Sequence, residues 1–299
     1  MHDDEVPTDA ALVRRLLAAQ FPQWAELTIE PVLSDGTDNA MYRLGDEMAV
    51  RLPRRPGAVP PIAKEHDWLA VLAPRLPLPL PLPLVKGEPG EGYPWPWSVC
   101  RWLEGEPPEG AGISSDDRFA SDLARFVLAL QAIDATAGPG PGAHNLWRGA
   151  RLRRLDATIR ERLAWLADLD EAADMARAWR DDGLEAAWEG PAVWLHGDLF
   201  AGNLLVREGR LAGVIDWSCL GVGDPACDLQ AAWHLFDGAA RTSFRRVLGV
   251  DDATWRRGRA WGLAMGVLNF SYYRTRSPGL AEKGRTAIAR VLASRRSDD

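Results

Sequence analysis

Lysine is nearly missing from this chain. Of its 35 basic side chains only Lys64, Lys86 and Lys283 are lysines. A role that needs a compact ammonium has few candidates, whereas forked and permanently charged guanidinium groups are plentiful. Cysteine is scarce too. The three thiols, Cys100, Cys219 and Cys227, are odd in number and show no C-x-x-C spacing, so they read as reduced thiols of a cytoplasmic protein. The five histidines are scattered, which argues against a zinc site. No apolar run approaches the ~20 residues of a membrane span. The acidic start, Met1-His2-Asp3-Asp4-Glu5, lacks the basic and apolar regions of a signal peptide. A G-x-x-x-x-G-K loop is absent, which excludes a Walker-type nucleotidase, and so is G-x-S-x-G, which disfavours a hydrolase. The formal net charge of −7 argues against a nucleic-acid or anionic-membrane partner and is compatible with a cationic substrate.

What the chain does have is concentrated near residue 200. Val193-Trp194-Leu195 is followed by His196-Gly197-Asp198, Asn203 lies five residues beyond Asp198, and Val214-Ile215-Asp216-Trp217 comes after. The apolar runs read as strands, with the polar residues where loops leave them. Phosphoryl transfer needs such a set. One carboxylate receives the proton of an attacking hydroxyl, while an amide oxygen and a second carboxylate hold Mg²⁺ against a triphosphate. The Asp198-to-Asn203 spacing matches the D-x-x-x-x-N of a kinase catalytic loop. A plain hairpin would explain Gly202 and Asn203 as turn formers. It would not explain Asp216 or the block Gly223-Asp224-Pro225-Ala226-Cys227-Asp228-Leu229.

His-Gly-Asp-x-x-x-x-Asn followed by Ile-Asp-Trp resembles the aminoglycoside phosphotransferases and their small-molecule kinase relatives. The resemblance implies an α+β, bilobal protein-kinase-like fold. A small β-rich nucleotide-binding lobe would span residues 1–101, and a large, mainly helical catalytic and substrate-binding lobe residues 102–299. It implies ATP or GTP as donor, with Asp198 as the catalytic residue and Asn203 and Asp216 as the Mg²⁺ ligands. His196 would support the loop. Asp228 would brace the same loop through backbone amides, or be an ordinary helix-surface carboxylate; both readings stand.

Periodicity is consistent with that plan. A helix capped by Thr8 or Asp9 runs to Gln20, strands fall at 28–33, 39–44 and 47–52, and a helix at 61–73 carries Glu65. The alternating Leu and Pro of 76–84 exclude a helix or a central strand and predict an extended connector. A strand follows at 97–103 and a Pro/Gly-rich crossover at 104–112. Phe119, Leu123, Phe126, Val127, Leu130 and Ile133 form a helical stripe, and helical patterns recur over 150–188, 225–236, 241–248, 253–274 and 280–294.

Candidate nucleotide contacts lie in the first third. Ser34, Gly36 and Thr37 sit in a short polar loop whose amides could turn toward a phosphate, although a plain hairpin turn would look the same. Arg51 occupies the place of the strand lysine that meets the α- and β-phosphates, with Glu65 as its partner; Lys64 competes for that role. Val99, Cys100 and Trp102 lie on the strand expected to hold the purine edge. Gly221-Val222-Gly223-Asp224-Pro225-Ala226 fits G-x-G-x-x-A, but without the βαβ context of a dinucleotide site. The acceptor is expected to be a small hydroxylated molecule, most simply a cationic antibiotic. A choline, homoserine or sugar kinase is the alternative. Asp168, Asp170, Glu171, Asp174 and Asp237 are candidate ammonium partners, or else solvated helix faces.

Overall fold

The computed structural model describes residues 5–32, 38–108, 112–184 and 187–298. The chain forms two compact units. One comprises Met1–Glu106 with Leu204–Arg207 and Ala212–Ser218; the other comprises Pro107–Asn203, Glu208–Leu211 and Cys219–Asp299. Asp216 thus belongs to the first unit and Asp198 and Asn203 to the second. No helix among the described residues is long and apolar enough to cross a membrane.

The first unit opens with α1 (Ala10–Gln20). Its N-cap is Asp9, whose carboxylate accepts from the Leu12 amide at 2.7 Å. Five strands follow in antiparallel order β1-β2-β3-β5-β4, namely β1 (Ile29–Pro31), β2 (Asn39–Leu44), β3 (Met48–Pro53), β4 (Pro83–Gly87) and β5 (Trp97–Arg101). Every second residue of β2, Ala40, Tyr42 and Leu44, is buried, as a strand with one core face requires. Val50, Leu52, Trp97 and Val99 join them in one apolar cluster with Leu12, Val13, Leu16 and Leu17 of α1. Arg51, between Val50 and Leu52, therefore points to the opposite face, where α2 (Pro60–Leu72) supplies Glu65.

One element departs from the sequence reading. The Leu/Pro stretch is irregular up to residue 82, but its last two residues open β4. Proline is tolerated there because Pro83 begins an edge strand, where its missing N–H interrupts little of the ladder.

The second unit is mainly helical. In α3 (Asp117–Gln131), Asp116 caps the N-terminus by accepting from the amides of Arg118 and Phe119, and the expected apolar stripe is buried. The 150–188 region is not one long helix. It breaks into a 3₁₀ turn (Leu152–Leu155), α4 (Asp156–Trp165), α5 (Ala172–Ala178) and a π turn (Trp179–Gly183). Its many charges are why periodicity blurred those breaks. Asp182, inside the π turn, is buried and paired with Arg259 at 2.8 Å.

Two further short sheets are formed by strands adjoining the central motif in sequence. Strand β6 (Val193–Leu195) pairs antiparallel with β9 (Gly221–Gly223), and β7 (Leu204–Arg207) forms a hairpin with β8 (Arg210–Val214). The hairpin turn, Glu208-Gly209, has positive φ at both residues, as a two-residue type I′ turn requires. After β9 a 3₁₀ segment, Pro225–Gln230, leads into α6 (Ala231–His234); α7 (Gly238–Leu248), α8 (Asp252–Tyr273) and α9 (Pro278–Asp298) complete the unit. Asp224 caps the 3₁₀ segment through the Ala226 amide and pairs with buried Arg257 at 2.9 Å.

The G-x-G-x-x-A resemblance has a packing cause. Gly221 and Gly223 lie within β9, where a Cβ on Gly223 would stand 2.4 Å from the Gly149 carbonyl oxygen. Close approach of two backbones demands that glycine. Gly223→Ala should lower the unfolding free energy by about 1–3 kcal/mol through forced backbone displacement. In urea the midpoint should fall with an unchanged slope; an unshifted midpoint would contradict the packing argument.

Candidate active site

In the second unit the site is built outward from β6. The chain leaves that strand at His196, whose ring is fully buried and whose Nδ1 accepts the Asp198 amide at 3.2 Å. Gly197 has φ of +82°, and a Cβ there would lie 2.7 Å from the Cys219 carbonyl oxygen, so no other residue fits without displacement. Asp228, fully buried in the 3₁₀ segment, accepts the amides of His196 at 2.8 Å and Gly197 at 2.7 Å. Of its two sequence readings, the surface carboxylate is thereby excluded. Burial pushes the Asp228 carboxyl up to about 6, although the two amides pull it back.

Those bonds fix the backbone that presents Asp198. Its Oδ2 accepts Nδ2 of Asn203 at 3.0 Å, and its Oδ1 faces Nη2 of Arg148 at 3.3 Å. Asn203 also donates Nδ2 to the Asp198 backbone oxygen at 2.8 Å, which turns its amide oxygen away from Asp198. Arg148 was not found from sequence. It is one arginine among many, in a Gly-rich stretch with no motif of its own, and only the fold brings it to the loop. It is buried, and its Nε donates to the Gly197 carbonyl at 2.7 Å. Burial opposes its charge, but the acidic groups around it hold the guanidinium above its ordinary value. Gln230 donates to the same carbonyl at 3.1 Å. The Phe200 ring meets His234 edge-on at 4.6 Å, and burial drives that imidazole down to about 3, so it is uncharged at neutral pH.

In the first unit, Arg51 donates Nη1 to Glu65 Oε2 at 2.5 Å, and its Nη2 lies 3.8 Å from Asp216 Oδ1. Burial again opposes the charge. Glu65 and Asp216 outweigh it, so the guanidinium is held above its ordinary value. Nη2 of Arg51 and Oε1 of Glu65 are buried without hydrogen-bond partners. A buried donor in that condition costs free energy unless something fills its geometry. Lys64, the competing cation, donates Nζ to the Ser218 carbonyl at 2.7 Å. Asp216 has φ of +58°, uncommon outside glycine, and its Oδ1 accepts the Ser218 amide at 3.3 Å.

The remaining candidates divide. Ser34, Gly36 and Thr37 lie outside the described residues. Val99 is fully buried in the apolar cluster against α1, so its side chain packs on the face opposite Arg51. Cys100 shares the Arg51 face, with Sγ 3.6 Å from the Ala49 oxygen; burial pushes its thiol up to about 12, which leaves it unreactive. Trp102 stacks under the Arg43 guanidinium at 4.9 Å, its own amide donates to Glu47, and its buried indole Nε1 has no partner. Two of the proposed ammonium partners are already neutralised, Asp168 by Arg274 and Asp237 by Arg290.

Metal chemistry is constrained by donor type. Among the described residues no three His, Cys, Asp or Glu side chains cluster as metal ligands. The Asn203 amide oxygen in the second unit and the Asp216 carboxylate in the first are each hard oxygen donors of the kind Mg²⁺ takes.

This combination of antiparallel sheet, His-Gly-Asp loop and helical segment is that of a kinase-like α+β fold, and solved structures share it. The chain aligns with APH(2″)-IIia, solved as its complex with GDP and kanamycin, at a TM-score of 0.74 and 19% identity, covering 94% of this chain and 98% of the other. With macrolide 2′-phosphotransferase MphH from Brachybacterium faecium the TM-score is 0.64 at 22% identity, covering 94% and 98%. Residues 29–261 match the profile of the phosphotransferase enzyme family, and the chain belongs to that family. An uncharacterized protein, YcbJ of Bacillus subtilis (strain 168), is 29% identical over 164 residues, 53% of this chain; the match spans about half of that protein, 48% of its length.

The buried Asp228 predicts a pH signature. Its folded value lies near 6, above the unfolded value of roughly 4. The folded state therefore holds this proton longer. The stability it contributes is complete below pH ~4 and is lost as pH rises through about 6. Asp228→Asn should show a constant offset from the lost acceptor and no such slope. Equal slopes for parent and variant in urea titrations between pH 4 and 7 would rule out this assignment.

Proposed function

We propose that this protein moves the γ-phosphoryl group of ATP or GTP, with Mg²⁺, onto a hydroxyl of a small molecule. The observation that carries the reading is the Asp198 carboxylate, addressed on both oxygens by fixed donors and mounted on a loop pinned through two amides by Asp228. Asp198 orients the acceptor hydroxyl and takes its proton, work that contributes about 10²–10⁴ in rate. Arg51 holds Glu65 with one prong and offers the donor phosphates its Nη2, which makes no hydrogen bond. By resemblance, Asn203 and Asp216 would hold Mg²⁺, which would supply neutralisation of the triphosphate charge. Amides of Ser34, Gly36 and Thr37 at the phosphates, and the strand edge near Trp102 at the purine, complete the donor site by resemblance.

For the acceptor, a cationic antibiotic is supported by family membership, by fold likeness to aminoglycoside phosphotransferases and by the acidic balance of the chain. A second reading is favoured by Arg274 and Arg290. These residues already neutralise Asp168 and Asp237, which suits an acceptor with few ammonium groups, such as a macrolide, choline, homoserine or a sugar. Nucleoside-diphosphate release separates the two when aminoglycosides, macrolides and metabolic alcohols are offered with ATP and GTP in parallel. Turnover with an aminoglycoside supports the first. Turnover confined to the other classes removes it.

The residue roles have their own test. Asp198→Asn should lower kcat by about 10²–10⁴ and leave donor affinity nearly intact. In calorimetry Asp216→Ala should lose Mg·nucleotide binding. Arg51→Ala should raise the donor KM and lower kcat, whereas Lys64→Ala should do neither strongly. Undiminished Mg·nucleotide binding by Asp216→Ala would remove the metal assignment, and a reversed Arg51/Lys64 pattern would transfer the phosphate role to Lys64.

A further inference from the structure

We infer that Arg148 is a positioning residue for Asp198, setting the carboxylate's rotation as well as the loop beneath it; the inference rests on the phosphotransfer reading above. The guanidinium reaches two consecutive residues of the loop. Nε donates to the Gly197 carbonyl at 2.7 Å and Nη2 to Asp198 Oδ1 at 3.3 Å. Asn203 meets the other carboxylate oxygen at 3.0 Å. Two donors from different parts of the unit, one on each oxygen, define the plane of the carboxylate.

The fork is itself held in place. The Arg148 amide donates to the Asn145 carbonyl at 3.0 Å, and the Asn145 side chain donates to the Arg148 carbonyl at 3.3 Å. Gly149 follows with φ of +77°, and a Cβ there would stand 2.5 Å from the Leu195 side chain. Leu146 and Trp147, just before, also have positive φ, of 53° and 62°. Non-glycine residues in that region carry strain that the surrounding structure must over-determine. The whole segment presents one guanidinium at a set height beneath the loop. A buried guanidinium is tolerated only when paired and fully hydrogen-bonded, and Asp198 is the carboxylate that its fork grips.

Stabilisation alone does not account for the arrangement. Gln230 already donates to the Gly197 carbonyl at 3.1 Å, so the loop backbone has a second anchor. Arg148 and Asn203 each place a donor on an Asp198 side-chain oxygen, which Gln230 does not. Lysine could keep the charge, but a single ammonium cannot reproduce a planar two-pronged contact.

The test compares Arg148→Lys, Arg148→Gln and Gln230→Leu in the full chain, with turnover, donor KM, nucleotide affinity by calorimetry and thermal midpoint read together. Misplacing a reacting group by about an ångström costs on the order of 10²-fold. Arg148→Gln should therefore lose about 10- to 100-fold in kcat with donor affinity within about twofold. Arg148→Lys, which retains the charge and is the variant expected to fold if Arg148→Gln does not, should recover part of that loss. Gln230→Leu should lower the thermal midpoint and reduce kcat less than either. Three results would overturn the inference. They are an unchanged kcat in a folded Arg148 variant, donor affinity falling in parallel with the midpoint, or Gln230→Leu matching the Arg148 variants in kcat. A parent enzyme with no turnover on any donor and acceptor sinks the phosphotransfer reading and this inference with it, whereas an active parent beside impaired variants bears on Arg148 alone.

Discussion

The constraint on which the His-Gly-Asp loop of the helical unit depends is one buried carboxylate. Asp228 receives two successive amides, His196 and Gly197, and so closes the turn that projects Asp198. Everything else at the loop presupposes that closure. The positive φ of Gly197, the buried His196 ring beneath the Asp198 amide and the grip of Arg148 on the Gly197 carbonyl are compatible only with this path of the chain. The carboxylate is buried at a cost, and its raised proton affinity is the measure of that cost. Two charge-assisted bonds from backbone donors offset it.

Arginine carries most of the buried cationic work among the described residues. Arg51–Glu65, Arg148–Asp198, Arg257–Asp224 and Arg259–Asp182 each place a guanidinium of under a tenth exposure on a carboxylate. A planar fork can satisfy several partners at once, so it suits burial better than an ammonium. Such pairs add little net stability compared with apolar packing, but breaking one strands a charge at about 3–5 kcal/mol. They therefore enforce one arrangement more than they strengthen it. In α8, Arg257 and Arg259 reach to Asp224 ahead of the 3₁₀ segment and to Asp182 in the π turn, which ties two irregular stretches to one helix.

Much of this was legible before the structure. Spacing and family resemblance singled out His196, Asp198, Asn203 and Asp216 as candidates; the fold sets the first three on one loop of the second unit and Asp216 in the first. Regular alternation located β2, and Asp9, Asp224 and the stripe of α3 announced their elements through capping and period. What escaped has physical causes. Arg148 is brought to the loop by long-range folding and resembles any surface arginine in sequence. The chain breaks between residues 150 and 188 are masked by charged residues that suit a helix and a loop equally. Strand β4 begins at a proline, which ordinarily argues against a strand. Val99 was named for the backbone of β5, and the burial of its side chain in the α1 core bears on packing and leaves that backbone reading untouched.

The guanidinium of Arg51 has a consequence for how the protein can be detected. Reagents that report donor sites by acylating a lysine amine, with a nucleotide as the delivering group, require a nucleophilic ε-amine beside the phosphates. Here the strand position offers a guanidinium that stays protonated at any accessible pH. The nearest amine on α2, Lys64, is buried with Nζ bonded to the Ser218 carbonyl. A survey of cell extracts by amine acylation would therefore pass over the donor site proposed for this chain.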